Sequence, residues 1–185
     1  MHVGHTEIIK LLSNQKFTDE LLVIPTALPP HKEYYDEVQS VHRLNMCRIA
    51  VKGIKNATVS DIELKRQGKS YTIDTVNTLL DCGKKDIAVA CGGDMLVTLD
   101  TWKSYKELIS KVEIIAIYRV GTDKDFFDTA VEKTLEDGGR VTVLEAKITD
   151  VASKNLRSML KRGENVEKLI TAEIYDYIKQ NRLYI

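Results

Sequence analysis

The chain has 185 residues, enough to bury a sizeable core, and its 43% apolar and 29% charged residues are the balance of an ordinary globular protein. Lys+Arg and Asp+Glu number 27 each, so no global field draws it to nucleic acid or an anionic membrane, and any anion site must be local. No apolar run approaches a membrane span or a signal peptide's hydrophobic region, and Cys47, Cys82 and Cys91 have neither disulfide nor metal spacing, which points to a reducing cytoplasm.

The chain opens on His2-Val3-Gly4-His5, directly before Ile8, Ile9, Leu11 and Leu12, whose spacing predicts an amphipathic helix over 5–16. With Val3-Gly4 as the turn into that helix, both imidazoles fall on one side of its first turn, beside backbone N–H groups that favour an anion. Gly4 has no Cβ to hold a phosphate away from the backbone. The tetrapeptide reads as a phosphate clamp, against the plainer reading of solvated terminal histidines.

Leu21-Leu22-Val23-Ile24, stopped by Pro25, predicts a short buried parallel strand. The loop 26–40 follows, its Pro29-Pro30 pair stiffening the backbone that presents His31 and Lys32. Ser40 is placed to cap a helix running to about Lys52 and ended by Gly53, with Arg43 on it as a solvated charge. Residues 57–64 alternate as a strand, and a helix opened by Ser70 or Thr72 carries Ile73, Val76, Leu79 and Leu80 before Gly83 closes it.

A strand over 86–91 leads into Gly92-Gly93-Asp94, short helices over 95–99 and 105–111, a strand over 112–118, a helix over 126–135 and a strand over 141–144. Asp150 then caps a helix with Leu156, Met159 and Leu160, and a last helix spans 166–179. Strands alternating with helices predict an α/β fold: one domain over 1–185, a Rossmann-like parallel sheet with helices on both faces and C-terminal helices. The first strand such a sheet needs is absent, because the chain begins on a helix.

Three further groups carry candidate chemistry. Asp150 to Arg157 gathers Ser153, Lys154 and Arg157 around a helix start, either as a second phosphate site or as a capped, solvated surface helix. Gly92 and Asp94 sit where a parallel strand ends, the edge at which such sheets bind ligands; Asp94 suits ribose hydroxyls or a helix cap. Trp102 offers a platform for a flat ring, or partly buried packing, and Arg119 ends a strand on the same expected edge.

Taken in order, HVGH at 2–5, IPTALPPHK at 24–32, RLNM at 43–46, VSDIEL at 59–64, SYTIDT at 70–75, GGDM at 92–95, TWK at 101–103, DVASKNLR at 150–157 and NRLY at 181–184 resemble nicotinate-nucleotide adenylyltransferases of the HxGH nucleotidylyltransferase superfamily. PPHK, SYTIDT and TWK separate the chain from the pantetheine-phosphate adenylyltransferases, which share the HxGH motif but not these segments.

The resemblance implies attack of nicotinate mononucleotide's 5′-phosphate on the α-phosphate of ATP, with Mg²⁺ assisting, to give deamido-NAD and pyrophosphate. By the same resemblance His2 and His5 are catalytic and hold the ATP phosphates, Ser153 and Arg157 bind the triphosphate, and Gly92 and Asp94 serve the adenosine side; Lys154, between the two triphosphate residues, is read as an ATP contact by its own charge. Lys32 matches a contact to the mononucleotide phosphate, Trp102 a stack on the pyridine ring, and Arg119 a basic residue near the phosphates; no protein metal ligand is implied.

The family's first strand and GGTFDP-like loop are lacking, Ala152 and Lys154 replace a Ser and a Thr of the family's helix motif, and Val120 replaces a proline. The expectation is an N-terminally truncated enzyme, with little adenylyl transfer from these 185 residues and open strand edges or a collapsed gap between Leu21 and Ile87. The alternatives are a non-catalytic nucleotide-binding remnant, or an adenylyltransferase for another acceptor such as nicotinamide mononucleotide or a phosphorylated sugar. A homo-oligomer is left open.

Overall fold

The computed structural model describes residues 1–28, 39–66, 68–119 and 121–184. The backbone gathers into two compact units. The terminal unit joins Met1–Lys69 to Ile148–Ile185, and the insert unit is Ser70–Lys147.

In the terminal unit, α1 (Val3–Ser13), α2 (Ser40–Val51), α7 (Ser153–Lys161) and α8 (Ala172–Gln180) accompany a parallel pair, β1 (Leu21–Val23) and β2 (Ala57–Val59). Its core takes residues from all four helices at helical spacing: Ile9, Met46 and Ala50, Leu156 and Leu160, Ile174 and Ile178. The insert unit holds β3 (Ala88–Gly92), β4 (Glu113–Arg119) and β5 (Arg140–Ala146), all parallel in that order, with α3 (Thr72–Asp81), α4 (Gly93–Leu96), α5 (Tyr105–Lys111) and α6 (Lys124–Glu136). Central β4 is a continuous apolar run whose Ile114, Ile115, Ala116 and Ile117 are buried, as a strand paired on both sides requires.

The class is the one expected, α/β with parallel strands and helices between them, but the ladder forms two sheets, β1-β2 and β3-β4-β5. Among the described residues β1 and β3 each pair with one strand only, so each keeps one edge without a strand partner.

Several boundaries differ from expectation, each for a local reason. β2 stops at Val59 rather than 64 because its partner β1 ends at Val23, two residues before Pro25, which has no N–H to give a ladder. α2 is capped at Gln39, so Ser40 is its first helical residue and not its cap. α7 starts at Ser153 with Ala152 as N-cap, and Asp150 stays outside it. The last helix begins at Ala172 instead of 166 because the Leu169 carbonyl is taken by the Val3 N–H (3.0 Å), which diverts it from a helical ladder.

Candidate active site

His2 is the N-cap of α1, with extended backbone (φ −140°, ψ 171°) and a carbonyl that accepts from the N–H groups of His5 (3.0 Å) and Thr6 (3.2 Å). This turn folds the two imidazoles together, with ring centroids 3.7 Å apart and planes tilted by 36°. His2 is buried and His5 is exposed. A Cβ on Gly4 would stand 2.8 Å from the Thr149 carbonyl oxygen and 3.3 Å from His2 Nδ1. Packing therefore already demands glycine here, a reason distinct from phosphate access. The Val3 N–H, one of the amides expected to face an anion, is committed to Leu169.

Ser153 opens α7, and Leu156 N–H bonds the Ala152 carbonyl (3.0 Å), so the amides of Ser153, Lys154 and Asn155 precede the helical ladder. Lys154 is exposed, while Ser153 and Arg157 are half-buried one turn apart. The starts of α1 and α7 are neighbours. Glu7 of α1 accepts from the Thr149 N–H (2.6 Å) and from Thr149 Oγ1 (2.8 Å). The Met1 amino group is pushed below its ordinary pKa chiefly by burial, with Cys47 opposing and the nearby Arg157 guanidinium adding to the fall. His2, His5, Ser153, Lys154 and Arg157 thus belong to one unit, on two helix starts tied together.

Gly92, Asp94, Trp102 and Arg119 belong to the insert unit. Asp94 lies in the first turn of α4 rather than at its cap, and its carboxylate pairs with Arg119 at 3.2 Å. A Cβ on Gly92 would come 2.8 Å from Asp94 Oδ1 and 3.5 Å from Arg119 Nη2, so that ion pair closes over the bare glycine. Burial, with Asp94 nearby, pushes the Cys91 thiol up to about 12. Trp102 is half-buried against the unit's core, and its carbonyl accepts from the Tyr105 N–H (3.1 Å).

Two sequence motifs meet in this unit. Lys103 of TWK pairs with Asp74 of SYTIDT at 3.1 Å and lies 4.5 Å over the ring of Tyr71. Lys32 and His31 fall outside the described residues.

Arg43 is not the solvated charge expected. Its guanidinium donates to the carbonyls of Thr26 and, at 3.5 Å, Ala27, fixing the segment that leaves β1. His42 Nδ1 and Asn45 Nδ2 converge on Tyr177 Oη at 2.8 and 2.9 Å, tying α2 to α8. Glu7 draws no reading at the sequence level and Arg43 only that of a solvated charge; their partners lie 142 and 16–17 residues away.

The cytidylyltransferase-like family profile matches residues 1–158. The probable nicotinate-nucleotide adenylyltransferase of Fusobacterium nucleatum is 31% identical over 182 residues, 97% of this chain and 92% of that protein. The probable enzyme of the same name from Carboxydothermus hydrogenoformans is 31% identical over 186 residues, 100% of this chain and 92% of that protein. In fold, the chain is similar to Plasmodium falciparum nicotinic acid mononucleotide adenylyltransferase complexed with NaAD, with a TM-score of 0.82 at 18% identity over 100% of this chain and 91% of that one. The profile over the first 158 residues and the near full-length likeness at 31% identity assign the chain to the cytidylyltransferase-like family and, within it, to the nicotinate-nucleotide adenylyltransferases.

Proposed function

We propose that the chain joins the adenylyl group of ATP to the 5′-phosphate of nicotinate mononucleotide, releasing pyrophosphate and forming deamido-NAD. The observation that carries this reading is the tie between two helix starts, one bearing His2 and His5, the other Ser153, Lys154 and Arg157. A phosphate oxygen of the mononucleotide attacks the α-phosphorus as the bond to pyrophosphate breaks. No side chain forms a covalent bond. Catalysis is then alignment for in-line displacement and stabilisation of charge on the phosphoryl oxygens.

His2 and His5 hold the triphosphate from one side, and Ser153, Lys154 and Arg157 from the other. Gly92 and Asp94 serve the adenosine, Trp102 the pyridine ring, and Lys32 and Arg119 the phosphate of the acceptor side. Among the described residues no group of three or more His, Cys, Asp or Glu could hold a metal; ATP-borne Mg²⁺, kept by phosphates and water, needs none. When bound it would offset charge on those phosphates. The three cysteines are free thiols, which fits a cytoplasmic setting, and no helix among the described residues is long and apolar enough to cross a membrane.

The test supplies ATP, Mg²⁺ and either nicotinate or nicotinamide mononucleotide, and separates the products by chromatography. Deamido-NAD and pyrophosphate in equal amounts, with the nicotinate acceptor preferred, are expected. Preference for the nicotinamide acceptor would reassign the acceptor, and no dinucleotide from either would refute the reading.

A further inference from the structure

We propose that Glu7 is a positioning residue for the ATP site, setting the start of α7 against the start of α1 by gripping Thr149. This rests on the reading above, in which both helix starts hold one triphosphate. Every polar atom of Thr149 is turned to α1. Its N–H and Oγ1 donate to the two oxygens of Glu7, at 2.6 and 2.8 Å, and its carbonyl oxygen lies 2.8 Å from where a Cβ on Gly4 would stand. Gly4 and Glu7 are three apart on α1 and therefore share a face, so a single stripe of that helix receives the whole residue.

Position is transmitted over a short span in both directions. Thr149 precedes Ser153 by only four residues, so an anchor at Thr149 limits how far the start of α7 can move. Glu7 follows His5 by two residues on the rigid first turns of α1. Both carboxylate oxygens are used, so a carboxamide, with one acceptor oxygen, serves only one of the two donors. A loop-satisfying glutamate with no influence on the site is the competing account, and it makes different predictions for ligand affinity.

The experiment measures binding of Mg-ATP and of nicotinate mononucleotide by calorimetry, with thermal midpoints. The set is wild type, Glu7→Gln, Glu7→Ala, Thr149→Val, Thr149→Ser and the Glu7→Ala/Thr149→Val pair. Glu7→Ala is expected to weaken ATP about tenfold and the mononucleotide less than about twofold, since it misplaces one set of phosphate donors only. Glu7→Gln should fall between, Thr149→Ser should match wild type, and the double variant should be no weaker than Glu7→Ala, as coupled residues require. Unchanged ATP affinity in Glu7→Ala overturns the proposal. So does equal weakening of both ligands together with a lowered midpoint, the mark of a purely structural contact. Wild-type chain that binds ATP without making dinucleotide defeats the proposed function and leaves the positioning role standing; chain that binds no ATP defeats both.

Discussion

Alanine at Gly93 is expected to strain the insert unit, whereas alanine at the adjacent Gly92 leaves its stability nearly intact. A Cβ at position 93 would stand 2.8 Å from Thr122 Cγ2 and 3.1 Å from Phe127 Cδ2, well inside the ~3.5–4.0 Å at which carbon atoms rest. Phe127 is only 2% exposed and cannot swing aside. Two such contacts put the overpacking in the upper part of its usual range, about 2–3 kcal/mol, and the helical preference of alanine over glycine returns about 1 kcal/mol, leaving a net loss of about 1–2 kcal/mol. For a chain of this size that lowers Tm by about 2–8 °C. At Gly92 the nearest atom is Asp94 Oδ1, the end of a side chain that is 70% exposed and free to rotate. The change then costs only the Asp94–Arg119 contact, about 0–1 kcal/mol for an exposed pair. Thermal and urea unfolding of both variants, with Thr122→Ser added to Gly93→Ala, would test this. Removing Cγ2 should recover part of the loss, while the Phe127 contact keeps the remainder. Gly93→Ala melting with or above wild type, or Gly92→Ala proving the costlier change, would refute the packing argument.

Arg43→Lys keeps the charge but loses the fork that spans the Thr26 and Ala27 carbonyls, so KM for the mononucleotide should rise several-fold with KM for ATP unchanged; parallel changes in both would contradict it. Tyr177→Phe strips His42 and Asn45 of their shared partner and should cost about 1–2 kcal/mol in denaturant unfolding, with Asn45→Ala adding little on top. A thiol reagent at pH 8 should label exposed Cys82 quickly, and Cys47 and Cys91 slowly, because burial raises both thiols above their ordinary pKa; rapid labelling of all three would show that the cores open. Cys91 also gives an alkaline limit. Its thiol ionises near 9.0 unfolded and is pushed up to about 12 folded, so its contribution is intact below pH 9 and lost as pH climbs toward 12. Cys91→Ala should flatten that part of the pH–stability curve.

Local patterns were legible where one element's own residues decide its state. The apolar run of β4 and the helix over Tyr105–Lys111 needed no partner to be seen, and Gly53 and Gly83 end their helices with φ of 84° and 83°. What the sequence hid was set by distant atoms. The Leu169 carbonyl leaves its helix for Val3, and β2 is cut short by the end of β1. Gly4, legible as a phosphate approach, also answers to a carbonyl 145 positions on in the chain. Nothing beside Glu7 in the chain announces Thr149, its partner 142 residues on.

The chain's layout dictates an order of assembly. Residues 70–147 form an uninterrupted stretch with its own core, so every strand and helix of that unit has emerged before α7 is synthesised. The other unit is built from both ends, and Glu7 must wait 142 residues for Thr149. A ribosome therefore delivers the whole of the insert unit before the terminal unit can be completed. Under the proposed function, products broken off before residue 148 lack Ser153, Lys154 and Arg157, so ATP capture would report that synthesis had passed α7.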